Sequence, residues 1–334
     1  VGRNPPVSES ENGRAEALAR LDVFADCTAS DLVPLARLLR PLRAATGEVL
    51  MVQGEPADEF LIIAEGSVAI TREPRDESDP PLIADAGRIL GELALLRHSP
   101  RSATVTAITA LAGWSGDDAA FDLLIELPGV LERLERTARQ RLAAFITPVP
   151  VRLSDGRELL LRPVLPGDRA RTEHSHITFS SDTFYRRFQT VRQPGQKLMR
   201  YLFVVDYVDH FVWVVVTPDG DLVADARFVR DEDDRTRAEI AFLVGDDYQG
   251  QGIGTFLMGA LAIAARVAGV TRFHARVLTD NLPMRAILDR AGAQWKRDDL
   301  HMVTTEIAVP QEVPIDDDTA RGIEAMAVRV LREL

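Results

Sequence analysis

Residues 246–256 read DDYQGQGIGTF, and the apolar run TFLMGALAIAARVA begins at Thr255. Glycines without side chains let successive backbone amides approach an anion, and a helix starting there adds positive potential. The stretch therefore predicts a phosphate-holding turn between a strand, AEIAFLV, and a helix over 252–267. It is not a P-loop, because no Gly-Lys-Ser/Thr follows. It is not a dinucleotide fingerprint either, because Thr255 stands where G-x-G-x-x-G needs its third glycine. It does match Q-x-x-G-x-G through Gln249, Gly252 and Gly254.

Working outward, the region after residue 153 reads as mixed α and β. Strands are expected at ELLLRPV, HFVWVVVT, LVADARFVR, AEIAFLVG, RFHARVL and MVTTEIAV, and helices over 168–174, 182–189, 252–267 and 281–291. The tail TARGIEAMAVRVLREL sets Ile323, Met326, Val330 and Leu331 on one helix face, which predicts a terminal helix docked on the body. The stretch TPVPVRL, 147–153, reads as a linker because two prolines interrupt helix and central strand alike. Before it, 15–39 is helical, with Asp31 in a first turn, and 45–115 reads as short strands at sandwich or barrel spacing. The segments are EVLMVQ, EFLIIAEG, SVAITRE, PLIADA and SATVTAITA. Residues 119–145 are helical, with a break at Pro128 and Gly129, and 1–14 read as disordered.

A second anion loop lies about 150 residues before the first: GELALLRHSPRSATV, 91–105. Gly91 and Glu92 open a short apolar helix, and Arg101 can grip a phosphate bidentately. Glu92 can accept hydrogen bonds from ribose hydroxyls. One cation and one carboxylate suit a single phosphate carried on a sugar, without magnesium. This loop resembles the phosphate cassette of cyclic-nucleotide-binding domains, and the upstream QGEPADEFLIIAEG fits their β-roll. The resemblance implies that Glu92 holds the ribose 2′-hydroxyl and Arg101 the cyclic phosphate. It implies backbone contacts from Gly91, Leu93 and Ala94, with Ser102 beside the phosphate. cAMP rather than cGMP follows by the same analogy. Arg141, on the helix after the β-roll, has two readings: a cap on the base, or a solvated helix charge.

The later loop, with a strand before it and a helix after, resembles the acetyl-CoA loop of GCN5-related N-acetyltransferases. That implies a coenzyme A pyrophosphate on Gln249, Gly250, Gln251, Gly252, Ile253 and Gly254. It further implies that backbone groups of Phe242, Leu243 and Val244 grip the pantetheine arm and polarise the thioester carbonyl. An acceptor lysine amine, with a pKa of about 10.4, needs a base. Glu239 is the candidate: it shares a strand face with Ala241 and Leu243 in an otherwise apolar row. Its competing reading is a surface carboxylate beside Arg237. The family's N-x-x-A-x-x-L-Y-x-x-x-G-F becomes NLPMRAILDRAGA, with Leu288 in the slot of the tyrosine that protonates the leaving thiolate. Asn281 and Arg285 are further coenzyme A candidates.

The whole chain has 334 residues, 46% of them hydrophobic, which suits two domains. The expected boundaries are 15–146 for the nucleotide domain, 147–153 for a linker, 154–310 for the transferase domain and 311–334 for a terminal helix. A formal net charge of −12 without a dense basic cluster argues against nucleic acid, and with it against a transcription factor. Cys27 is the only cysteine, so a disulfide or a cysteine metal site is not expected. No 18-residue apolar run is present, and a cytoplasmic protein without membrane contact is expected. His174 and His176 lie two apart without a matching carboxylate, so no metal is expected. Their segment has two readings, a lid over the cleft or an ordinary covering layer, and His176 is the regulatory candidate.

Together the halves resemble the mycobacterial cAMP-regulated protein lysine acetyltransferases. The resemblance implies acetyl transfer from acetyl-CoA to lysines of proteins, acyl-CoA synthetases and universal stress proteins among them, with cAMP as allosteric effector. A small-molecule amine acceptor and a non-catalytic cAMP-binding regulator are the alternatives.

Overall fold

A computed structural model describes residues 10–73, 81–153, 155–174, 177–188, 202–203 and 205–332. The chain parts into two units between Ala138 and Arg139.

In the first unit the helical start is divided. α1 (Glu11–Leu18), a 3-10 turn (Asp22–Phe24) and α2 (Ala29–Leu38) replace the single helical pattern expected over 15–39. A capping box restarts the chain: the Asp31 carboxylate accepts from the Thr28 amide at 2.7 Å. The disorder expected over 1–14 is corrected for its last residues. Ser10 caps α1, and Arg14 donates to the Leu39 carbonyl at 2.6 Å.

Among the described residues eight strands follow: β1 (Arg40–Ala44), β2 (Val49–Met51), β3 (Glu59–Glu65), β4 (Ser67–Thr71), β5 (Leu82–Asp85), β6 (Ile89–Leu90), β7 (Thr104–Ala107) and β8 (Leu111–Asp117). Two four-stranded sheets result, ordered β1-β8-β3-β6 and β2-β7-β4-β5. α3 (Glu92–Leu96) lies between β6 and β7. β1, β6 and β8 are additional to the five expected strands. β8, LAGWSGD, hides because two of its residues are glycines. A side chain at Gly113 would stand 2.0 Å from the Ile62 carbonyl oxygen, and one at Gly116 would stand 2.6 Å from the Phe60 ring. α4 (Asp118–Glu126) and α5 (Val130–Ala144) follow, separated at Pro128–Gly129 as expected. The core of this unit gathers Phe24, Leu35, Phe60, Trp114, Phe121 and Leu134.

The second unit is built on one eight-stranded sheet, ordered β15-β16-β14-β13-β12-β11-β10-β9. Its strands are β9 (Val149–Arg152), β10 (Glu158–Pro163), β11 (His210–Val216), β12 (Leu222–Arg230), β13 (Arg237–Val244), β14 (Arg272–Leu278), β15 (Lys296–Arg297) and β16 (Met302–Ala308). All neighbours are antiparallel except β13 and β14. The expected linker 147–153 is therefore corrected: it contains β9, the edge strand, where Pro150 pairs with Leu160. An edge strand tolerates proline, whose missing N–H would break an interior ladder.

The helices are α6 (Asp168–His174), α7 (Ser181–Phe188), α8 (Ile253–Ala268), α9 (Leu282–Arg290) and α10 (Asp317–Leu331). One sheet face is apolar and carries α8: Trp213, Phe228, Ile240 and Phe273 are buried there, and Trp213 Nε1 donates to the Ala260 carbonyl at 3.0 Å. Cross-strand register sets the other face, which holds His210, Asp225, Arg227, Glu239, His274 and Glu306. α10 buries Ile323, Met326 and Val330 of the face read from the sequence, with Leu331 half-buried. Among the described residues no helix is long and apolar enough to cross a membrane. Among them too, no group of three His, Cys, Asp or Glu side chains could hold a metal ion.

Candidate functional site

β13 and β14 pair only over Arg237–Glu239 and Arg272–His274. Beyond that point they separate, while β13 stays paired with β12 as far as Val244. The separation opens a cleft of about 610 Å³. Glu239 to Val244 form one wall, and Arg276 and Val277 stand opposite. Tyr248, Gln249, Gly250, Gly252, Ile253 and Gly254 close one end, and Asn281, Pro283, Met284 and Ile287 add a side. Thr183, Arg186, Arg187 and Phe188 of α7 complete the lining. The structure thus brings Glu239, Phe242, Leu243, Val244, Asn281 and most of the glycine loop into one cavity.

Glu239 is solvent-exposed at the fork, on the charged face. A carboxylate placed there can take a proton from a group entering the mouth. Arg276 on the facing strand feels the Glu239 charge and is paired with Asp298 at 2.6 Å and Asp299 at 3.1 Å. Its hydrogen bond to Asp298, above all, holds the guanidinium above its usual range. Sequence reading missed Arg276. The signal was the alternation R-F-H-A-R in β14, which sets Arg272, His274 and Arg276 on one face.

Gly252, with φ of +89°, is the N-cap of α8, and no side chain caps that helix. Its first-turn amides can therefore receive an anion. Gly254 has a packing cause: a side chain there would stand 2.6 Å from Cδ1 of Ile287 on α9.

Gln249 does other work with its side chain. Its Nε2 donates to the Val244 carbonyl at 3.1 Å, to Thr183 Oγ1 at 3.1 Å and to Asp246 Oδ1 at 3.2 Å. Asp246 also accepts from the Ser180 amide at 2.8 Å and from Thr183 Oγ1 at 2.5 Å. The glutamine thus fixes the loop and ties it to α7. Gln251 faces away toward Arg157, which donates to its Oε1 at 2.8 Å. Asn281 caps α9 by accepting from the Met284 amide at 3.3 Å. Arg285 is not in the cavity wall: it donates to the Thr279 carbonyl at 2.9 Å and lies over the Trp295 ring. Leu288 is fully buried in the core, so the slot of the family's tyrosine is a packing position. His174 ends α6, and His176 lies outside the described residues.

In the first unit Gly91, with φ of +87°, opens α3. Glu92, Leu93 and Ala94 are buried behind it, and Ser102 is half-buried. Arg101 is 6% exposed, and its Nη2 donates to the Glu59 carbonyl at 2.7 Å. Burial pushes its guanidinium below the usual value, against the pull of Asp58, Glu59, Glu92 and Glu55. Arginine still keeps its charge at neutral pH. A buried cation and a buried carboxylate on one short turn form a site for a group that is both anionic and hydroxylated. Arg141 is buried too, on the part of α5 that belongs to the second unit.

A β-roll carrying this cassette and a mixed sheet forked over a glycine loop define an acetyltransferase with a cyclic-nucleotide domain. Residues 41–126 match the cyclic nucleotide-binding domain family, and residues 158–294 match the acetyltransferase (GNAT) domain family. Acetyltransferase Pat of Mycolicibacterium smegmatis is 52% identical over 331 residues, covering 98% of this chain and 99% of that protein. The chain belongs to the family of that acetyltransferase. A solved cAMP-binding acyltransferase from Mycobacterium smegmatis is 50% identical, covers 98% of this chain and 99% of its own, and superposes with a TM-score of 0.51. A shorter stretch of the chain is similar to a cAMP-dependent protein kinase regulatory subunit of Dictyostelium discoideum. That match is 38% identical over 97 residues, 28% of this chain and 30% of that protein.

Proposed function

We propose that the chain is a cAMP-regulated protein lysine N-acetyltransferase with Glu239 as general base. Acetyl-CoA is the co-substrate and cAMP the effector. The carrying observation is the position of Glu239 at the fork of β13 and β14, in the wall of the cleft that the glycine loop closes. Glu239 takes a proton from the acceptor ammonium, and the freed amine attacks the thioester carbonyl. Backbone groups over 242–244 meet the charge that develops on the carbonyl oxygen. Amides of the glycine loop and the α8 N-terminus hold the pyrophosphate.

An exposed base favours a protein acceptor over a small cationic amine, which a deep acidic pocket would suit better. Family resemblance adds acyl-CoA synthetases and universal stress proteins as acceptors. Glu92 and Arg101 hold the cyclic nucleotide, and cAMP regulates transfer to the extent that it binds two states of the chain unequally.

The test is lysine acetylation of an acyl-CoA synthetase, followed by mass spectrometry with and without cAMP, in wild type and Glu239→Gln. Loss of a general base lowers kcat by about 10²–10⁴-fold with little change in KM for acetyl-CoA. A wild-type rate in Glu239→Gln would assign the base elsewhere. Acetylation that ignores cAMP would remove the regulatory half of the proposal.

A further inference from the structure

The charged sheet face holds a second acid–base pair beside Glu239. His274 on β14 is the register partner of Glu239 on β13, so both side chains stand on one face of adjacent strands, about 4.8 Å apart between strand axes. The imidazole leans across β13, and its Nε2 lies 2.9 Å from Oδ1 of Asp231, just beyond the end of β12. An ionised carboxylate only accepts, so in the neutral ring Nε2 carries the hydrogen. Nδ1 is left as the basic nitrogen.

The charged groups around His274 leave this pair intact. From β13 it faces Arg237 and Glu239, from its own strand Arg272 and Arg276, and from β16 its register partner Glu306. Arg237 is held by Asp231 and by Glu306 at 2.8 Å. Arg272 is held by Glu306 at 2.9 Å and Asp234 at 2.6 Å. Arg276 is held by Asp298 and Asp299. Asp231 therefore serves His274 through Oδ1 and Arg237 through Oδ2, and Glu306 serves both Arg237 and Arg272.

The geometry points to a part for this pair in acetyl transfer: His274, set by Asp231, is a positioning residue that relays the proton Glu239 collects out to solvent. The inference rests on Glu239 being the base. The balance is simple. The lysine ammonium gives one proton to the Glu239 carboxylate, and the N–C bond forms as the C–S bond breaks. The Glu239 carboxylic acid then passes that proton through one bridging water to Nδ1 of His274, its register partner on the same face. The imidazolium, held against Asp231, gives it to water, and Glu239 is again a carboxylate. Such an outlet matters once an acceptor covers the mouth and cuts Glu239 off from bulk water. The His274 side chain is 22% exposed, on the neighbouring strand, and keeps that contact.

The experiment measures kcat and KM against pH for wild type, His274→Ala, Asp231→Asn and Glu239→Gln, with and without imidazole in the buffer. His274→Ala is expected to lower kcat by about tenfold or more, with KM for acetyl-CoA unchanged and the rate restored by imidazole. Asp231→Asn should fall between, with a shifted pH profile. In a Glu239→Gln background, His274→Ala should cost nothing further. A wild-type profile in His274→Ala, or a loss that imidazole does not restore, overturns the relay. If Glu239→Gln is slow and His274→Ala is not, the relay alone fails. If Glu239→Gln is fast, the assignment of the base fails.

Discussion

Gly91→Ala separates the geometry of the nucleotide cassette from its charge. A side chain at Gly91 would stand 2.6 Å from Nη1 of Arg101 and 3.0 Å from the carbonyl oxygen of Glu59. That carbonyl is the acceptor that seats Nη2 of Arg101, so the methyl group would displace the guanidinium while leaving every charge in place. Two costs follow. The left-handed backbone, φ +87°, costs an alanine about 1–2 kcal/mol of fold stability. A displaced guanidinium loses its charge-assisted grip on the phosphate, worth about 1.5–3 kcal/mol. At about 1.4 kcal/mol per factor of ten, cAMP affinity falls roughly ten- to a hundredfold. Gly87→Ala is the control: φ is +88° and nothing lies within 4 Å, so it bears the backbone cost alone. Titration calorimetry with cAMP, beside thermal melts of both variants, gives the answer. Both should melt lower, and only Gly91→Ala should lose affinity. Equal affinity in the two variants would refute the claim that the seat of Arg101 depends on a missing side chain.

Two further outcomes are expected. Gln249→Ala removes one amide that serves three acceptors, each hydrogen bond worth about 0.5–1.5 kcal/mol net, and loosens the glycine loop from α7. KM for acetyl-CoA should rise several-fold with kcat nearly kept; a fall in kcat alone would contradict a loop-fixing role. His210 is pushed down from 6.5 to about 3, by burial first and then by Arg227 and Arg187. The unfolded chain takes up a proton below pH 6.5 that the folded ring refuses, so its stabilising contribution is complete above pH 6.5. It is lost as pH falls toward 3, at up to about 1.4 kcal/mol per pH unit. Urea midpoints across that range should slope less in His210→Gln; an unchanged slope would show that other groups govern the acid limb.

The second unit was more legible than the first, for physical reasons. Its strands read as an unbroken apolar run after His210 in β11 and as alternation in β14, and α6 and α8 lie where the helical period put them. The α10 face of Ile323, Met326 and Val330 is buried as the spacing requires. β9 hid behind Pro150, because a proline argues against an interior strand and says nothing about an edge. β8 hid behind glycines that exist to let Ile62 and Phe60 approach. The place of Glu239 on β13 was legible, but the apolar row expected around it was not what the fold made: it is exposed, on the charged face that also carries Arg237. The side-chain role of Gln249 was not, since Thr183 lies 66 residues away and only the fold brings it near. Arg276 could have been found from alternation, but its partners Asp298 and Asp299 come from the loop before β16.

The two glycine loops differ in what the missing side chain makes room for, and this sets how each can fail. Gly91 and Gly252 share nearly one backbone, φ +87° and +89°, and each opens a helix. At Gly91 the vacated space is taken by Arg101, a cation of the protein itself; at Gly252 nothing lies within 4 Å. A single phosphate on a small sugar offers few contacts, so its site needs a side-chain cation and a carboxylate, both buried. A pyrophosphate at the mouth of a helix is met by a row of backbone amides, which no side-chain truncation removes. Single charge changes at Arg101 or Glu92 should therefore silence the input of the enzyme. The glycine loop should yield to changes that move its backbone, among them Gln249→Ala, which frees it from α7, and a side chain at Gly254 that forces Ile287 and α9 away from α8.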